Sequence, residues 1–110
     1  MAYDTALADR VQAIIGDRPE VSQRRMFGGL AWLVNGHMAV VVRAAGGLMV
    51  RVDPAEHDTP LAEEGADTMV MRGRPMRGWI TVDPEVCASK ARLVEWVRRG
   101  LAYAATLPPK

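Results

Sequence analysis

The tightest constraint on this chain is the run Leu30–Val42, in which two apolar arms, Leu30–Val34 and His37–Val42, flank Asn35-Gly36. Both residues of that pair tolerate positive φ, as the tight turns of two-residue hairpins require, so the run predicts a β-hairpin. Regular pairing across the turn sets Val34 opposite His37, Leu33 opposite Met38 and Trp32 opposite Ala39. A further strand is expected at Leu48–Val52, after Ala44-Ala45-Gly46-Gly47. One sheet face then carries Trp32, Ala39, Val41, Leu48 and Val50, and the other carries Leu33, Met38, Val40, Val42, Met49 and Arg51. A sheet with one wet face shows a polar row, and here both rows are mainly apolar. Either helices cover both faces, or another chain closes the second.

The rest of the chain is arranged around that hairpin. Val21–Phe27 reads as a strand leading into Gly28-Gly29, where a bulge or a close approach of another group is expected. Asp4–Gly16 predicts a helix capped by Asp4 or Thr5, with Leu7, Val11, Ile14 and Ile15 on one face. Asp53-Pro54-Ala55-Glu56 has a cap, a proline at the first helical position and a glutamate placed for a capping box, so short helical turns are expected up to Gly65. Asp67–Met71 and Met76–Val82 read as further strands, joined by the basic turn Arg72-Gly73-Arg74-Pro75. Asp83-Pro84-Glu85 opens a last helix whose apolar stripe runs from Val86 to Ala105. The expected architecture is α+β: an antiparallel sheet of about five strands with N- and C-terminal helices packed on it.

With 110 residues the chain fits one domain with its own core. A net charge of +1 argues against a protein built mainly to neutralise phosphate. The single cysteine, Cys87, excludes an internal disulfide and any multi-cysteine metal site. The N-terminus lacks the basic and apolar regions of a signal peptide. No apolar stretch approaches the about 20 residues of a membrane span, so a cytoplasmic protein without membrane contact is expected.

No catalytic, cofactor-binding or metal-ligating constellation emerges. His37 and His57 have no ligand spacing with each other or with Cys87. Asp53, Glu56, His57 and Asp58 read as a solvated helical turn. Cys87 has no designated base and reads as structural. Gly28-Gly29 precedes a strand, whereas phosphate-binding loops open a helix. Adjacent Glu63 and Glu64 point apart. Two other groupings remain. Arg24 and Arg25 before the hairpin, with Arg72, Arg74 and Arg77 around the later turn, form a basic edge if the two regions are neighbours. Met26, Met38, Met49, Met69, Met71 and Met76 all fall in predicted strands, and methionine recurs both as core filler and at adaptable binding surfaces.

Several pieces together carry a resemblance: Arg25-Met26-Phe27-Gly28-Gly29, the hairpin around Asn35-Gly36-His37-Met38, Leu48–Asp53, Gly65 before a strand, and Gly73-Arg74-Pro75-Met76 before an aromatic strand. In this order they cover nearly the whole chain, which resembles the TfoX N-terminal-domain family (TfoX/Sxy), named for bacterial regulators of natural competence. The resemblance implies a small α+β fold similar in shape to type III secretion chaperones, and does not imply an enzyme. Full-length competence regulators carry a second domain after this one. A chain ending at Lys110 is therefore expected to be a stand-alone domain, without an implied competence role.

The expected function is a non-enzymatic regulatory module that binds an unidentified protein partner through the sheet or its edge and self-associates as a homodimer. The candidate partner-binding residues are Arg24, Arg25, Phe27, Met38, Met49, Arg72, Arg74, Arg77 and Trp79. The alternative is a nucleic-acid-associated regulator using the arginine-rich edge, with Phe27 or Trp79 stacking on bases.

Overall fold

The computed structural model describes residues 3–26 and 28–109. Helix α1 (Thr5–Ile15) starts where the Asp4 carboxylate accepts a hydrogen bond from the Leu7 N–H at 3.1 Å, and ends at Gly16 with φ of 70°. Six strands follow: β1 (Val21–Met26), β2 (Gly29–Val34), β3 (His37–Val42), β4 (Leu48–Arg51), β5 (Ala66–Met71) and β6 (Arg74–Val82). A 3-10 turn (Pro54–Glu56) and the short helix α2 (Asp58–Leu61) lie between β4 and β5. The chain then forms α3 (Pro84–Cys87) and α4 (Lys90–Thr106).

The fold is α+β as expected, with one antiparallel sheet in the order β1-β2-β3-β4-β6-β5. It has six strands rather than about five, and each of the six falls on a run that reads as a strand in the sequence. Asn35 and Gly36 both take positive φ (51° and 89°) in the β2–β3 turn. Gly29 is the close approach anticipated at the glycine pair: a Cβ there would strike the carbonyl oxygen of Val42.

The helices pack on one face. Leu7, Val11 and Ile15 of α1 and Leu93, Trp96, Val97, Leu101 and Ala104 of α4 join Trp32, Val34, Val40, Val42, Leu48, Val50, Ile80 and Val82 in the main core. Trp32 is fully buried. Its indole N–H is satisfied at 2.9 Å by Gln12 Oε1, which also accepts from Gln23 at 2.8 Å. A buried indole N–H without a partner is costly, so this network ties α1 to the sheet by chemistry as well as by area.

Two expectations are corrected. The regular register across the hairpin fails: Leu33 pairs with Met38, but Trp32 pairs with Val40, leaving Ala39 as an extra residue in β3. Beyond this bulge the faces invert, so Val40 and Val42 belong to the helix-covered core and Val41 to the opposite face. A long-range contact lies at the bulge. Helix α4 crosses the bulge at Gly100, where a Cβ would lie 2.6 Å from the Ala39 carbonyl oxygen and 3.0 Å from a Val40 methyl. The last helix is also not continuous. It breaks at Ala88-Ser89, where the Ser89 hydroxyl accepts from the Arg92 N–H and begins α4 anew. Arg10 of α1 donates to the carbonyl of Cys87 at 2.9 Å and so satisfies the end of α3.

The sheet is rolled. β1 and β5 are first and last in strand order, and across a flat sheet of this width they stand roughly 24 Å apart. Yet Met26 of β1 and Met69 and Met71 of β5 line one cavity of about 240 Å³. Two methionine side chains cannot span the flat distance, so the two edges curve toward each other around the face that carries no helix. The bulge at Ala39 and the irregular pairing between Thr68 and Met69 favour that curvature by increasing local twist.

Candidate functional site

Residues opposite one another in an antiparallel ladder share a face, and this rule builds the helix-free face from its register. Arg24 lies opposite Ala31, Met49 opposite both Val41 and Thr81, Arg51 opposite Trp79, Met69 opposite Met76, and Met71 opposite Arg74. Ala31, Leu33, Val41 and Met49 form a second buried cluster, with Met26, Met38, Met69 and Trp79 packed half-buried against it. No helical residue belongs to that cluster among the described residues. All six methionines of the sheet thus face the same way, away from the helices.

The cavity of about 240 Å³ on this face is lined by Met26, Met49, Met69 and Met71, with Val41, Arg43 and the Ala44-Ala45 turn. Charge around it is one-sided. Arg24, Arg43, Arg51 and Arg74 border the face, and among its strand residues Asp67, opposite Thr81, is the acid. The Arg51 guanidinium lies over the Trp79 ring at 5.1 Å from its centroid, so a cation is held above the apolar floor.

The groups with chemical potential elsewhere are occupied by the fold. His57, expected to be solvated, is 2 % exposed. The Gly78 N–H donates to its Nδ1 at 2.9 Å, which puts the ring proton on Nε2, facing Thr68 Oγ1 at 2.9 Å. This ring therefore joins the irregular stretch of β6 to β5. Local sequence hid it, because its neighbours Glu56 and Asp58 are exposed. Burial pushes the Cys87 thiol up to about 11, against the weaker opposite pull of Arg10. Cys87 sits at the end of α3, not just inside a long helix. No group of three or more His, Cys, Asp or Glu among the described residues is placed to hold a metal ion.

The model of the TfoX N-terminal domain matches residues 13–104, from within α1 to nearly the end of α4. The chain belongs to the TfoX N-terminal domain family. No curated protein and no solved structure matches it.

In this TfoX N-terminal domain the expected site residues divide between the two sides of the sheet. Arg24, Met38, Met49, Arg74 and Trp79 come together on the helix-free face. Arg25 is exposed on the other face, opposite Leu30. Arg72 forms the β5–β6 turn with φ of 54°. Arg77 is bound to the 3-10 turn, donating to the Pro54 carbonyl at 2.7 Å and reaching Asp58 at 3.4 Å. Phe27 lies outside the described residues. The five arginines therefore do not form one edge, and two residues not singled out as candidates, Arg43 and Arg51, complete the basic border. Strand alternation from Met49 already sets Arg51 on this face in the sequence, though it is not among the candidate site residues. Arg43 needed the bulge at Ala39, which sends Val41 and Arg43 to this face. No helix among the described residues is long and apolar enough to cross a membrane.

Proposed function

We propose that this chain is a non-enzymatic, cytoplasmic protein-binding module of the TfoX N-terminal type, which takes its partner on the helix-free face of the sheet. The observation that carries this reading is the gathering of six methionines on the one face that no helix covers, around a cavity. Thioether side chains adapt to irregular apolar partners at low cost, and this favours a surface meant to be covered. The non-enzymatic part rests on the two reactive side-chain types. The His57 nitrogens are both engaged within the fold, His37 Nε2 lies 2.6 Å from the Pro108 carbonyl oxygen, and the Cys87 thiol is buried and held protonated. A second copy of the chain is one partner the face can take.

The test is capture from native lysate with wild-type chain, a Met69→Lys variant and an Arg98→Ala control on the exposed helical side. Capture lost with Met69→Lys and kept with Arg98→Ala supports the reading, and equal capture by all three contradicts it. Light scattering after gel filtration over a wide concentration range reports whether the chain pairs with itself. Nucleic-acid binding is a second reading, favoured by the four arginines on one face. It requires affinity that falls steeply with salt.

A further inference from the structure

The helix-free face has a chemistry that selects among partners. We infer that its occupant is an acidic amphipathic helix of another protein, whose apolar stripe lies on the methionines and whose carboxylates meet the arginine border. This inference rests on the binding role proposed for the face and specifies the partner.

Charge gives the first reason. Arg24 lies on the edge strand β1 and Arg74 on β6 beside the β5–β6 turn, Arg43 lines the cavity and Arg51 is fixed above Trp79, so cations flank an apolar floor against one acid, Asp67, among the described strand residues of this face. Such a border steers and orients a ligand with acids on both flanks of an apolar stripe. Shape gives the second. Because the sheet rolls toward this side, the face is a trough, and a helix about 10 Å across suits a trough where a flat sheet does not. A cavity of about 240 Å³ accepts one or two apolar anchors from such a helix. An added strand has a poorer seat at β1, where Ser22 to Arg25 are all exposed and polar, the pattern that blunts a sheet edge.

The other occupants fit less well. Within the chain's own acidic segment Asp58 pairs with Arg77, Glu63 with Arg99 and Glu64 with Arg92, so these three carboxylates of a second copy are already engaged. Single-stranded nucleic acid needs open aromatic faces for stacking, and the Trp79 ring is covered by Arg51.

The experiment uses the chain labelled with 13C at its methionine methyls and two synthetic peptides of about 18 residues, roughly 27 Å of helix. Both carry leucines at helical spacing. One has glutamates on its flanks and its twin has lysines there. The expected result is that the glutamate peptide shifts the Met49, Met69 and Met71 methyl signals and binds about tenfold or more tightly than its twin at low salt. The double variant Arg24→Glu/Arg74→Glu, altered only at exposed side chains, should reverse that preference. Equal binding of the twins, or a preference that the double variant leaves unchanged, overturns the acidic-helix inference while leaving the face as a binding surface. Methyl shifts on raising the chain's own concentration, or on adding oligothymidylate, without a response to the glutamate peptide, assign the face to a second copy or to nucleic acid and also overturn it. Silence of the methyls toward both peptides overturns it as well, and the lysate capture then separates the two claims. Loss of capture with Met69→Lys keeps the protein-binding reading, whereas retained capture removes both.

Discussion

The two faces of the sheet are built from the same strands by different rules. The covered face is made of valine, leucine, isoleucine and tryptophan that are almost completely buried under α1 and α4. The uncovered face has a small buried floor of Ala31, Leu33, Val41 and Met49, and around it half-buried methionines with arginine at the border. β-Branched and compact side chains have few rotamers, so they pack one way against fixed helices. Methionine has three rotatable bonds before its terminal methyl and takes up whatever shape it meets. Rigidity is placed where the fold is held and adaptability where it is open. The alternation of single strands carries the difference: Leu48 and Met49 are neighbours in β4, and they belong to opposite faces.

That pair offers the sharpest test of the contrast. Leu48→Ala should lower stability by about 4 kcal/mol, because α4 and the sheet cannot close the hole. Met49→Ala should cost about 2 kcal/mol, because its side chain already borders a cavity and its methionine neighbours can move in. Chemical denaturation of both variants decides it, and equal losses break the distinction between the faces.

A second prediction concerns the covered side, where Cys87 is buried. Its thiol ionises near 9 in an unfolded chain and near 11 in the fold. Below pH 9 both states hold the proton. Above it the unfolded chain releases a proton that the folded chain keeps, so stability falls as pH rises through the window from 9 to 11. The loss reaches about 2–3 kcal/mol when the shift is fully expressed. Denaturation midpoints followed from pH 8 to 11 should show this excess loss in the wild type and not in Cys87→Ala.

The joint between the faces comes next. His57→Ala leaves the buried Gly78 N–H without its acceptor, and thermal unfolding should report a loss of about 2 kcal/mol. Gln12→Leu, which strips the Trp32 indole of its partner, should cost about 1–2 kcal/mol for the same reason. The smallest effect on folding belongs to the border of the open face. Arg24→Glu and Arg74→Glu are exposed changes and should each stay within about 0.5 kcal/mol of wild-type stability. A larger loss would mean that these arginines serve the fold and not a partner.

Much of this architecture could be read locally. The Asp4 cap, the Asn35-Gly36 turn and the proline-led starts at Pro54 and Pro84 each depend on a few adjacent residues, and each stands where expected. What escaped sequence reading depends on distant contacts. The bulge at Ala39 lies where Gly100, some sixty residues later, lets α4 approach the Ala39 carbonyl. Nothing in His37–Val42 signals it, and the extra residue exchanged Val40 and Val42 with Val41 between faces. His57 looked solvated among acids because its partners, Thr68 and Gly78, come from later strands. The open face was legible as an apolar row without a cover. Its basic border was misdrawn, because Arg25 alternates to the other side and Arg77 is held by Pro54, while Arg43 enters through the bulge and Arg51 through the register.

The most direct measurement of the central claim is a methionine footprint by mild peroxide and mass spectrometry, on the chain alone and on the chain carrying its captured partner. Met69 and Met71, at the rim of the cavity on β5, should oxidise readily in the free chain and become protected severalfold in the complex. Unchanged oxidation of both residues in a complex shown to be intact would contradict the assignment of the helix-free face as the binding surface.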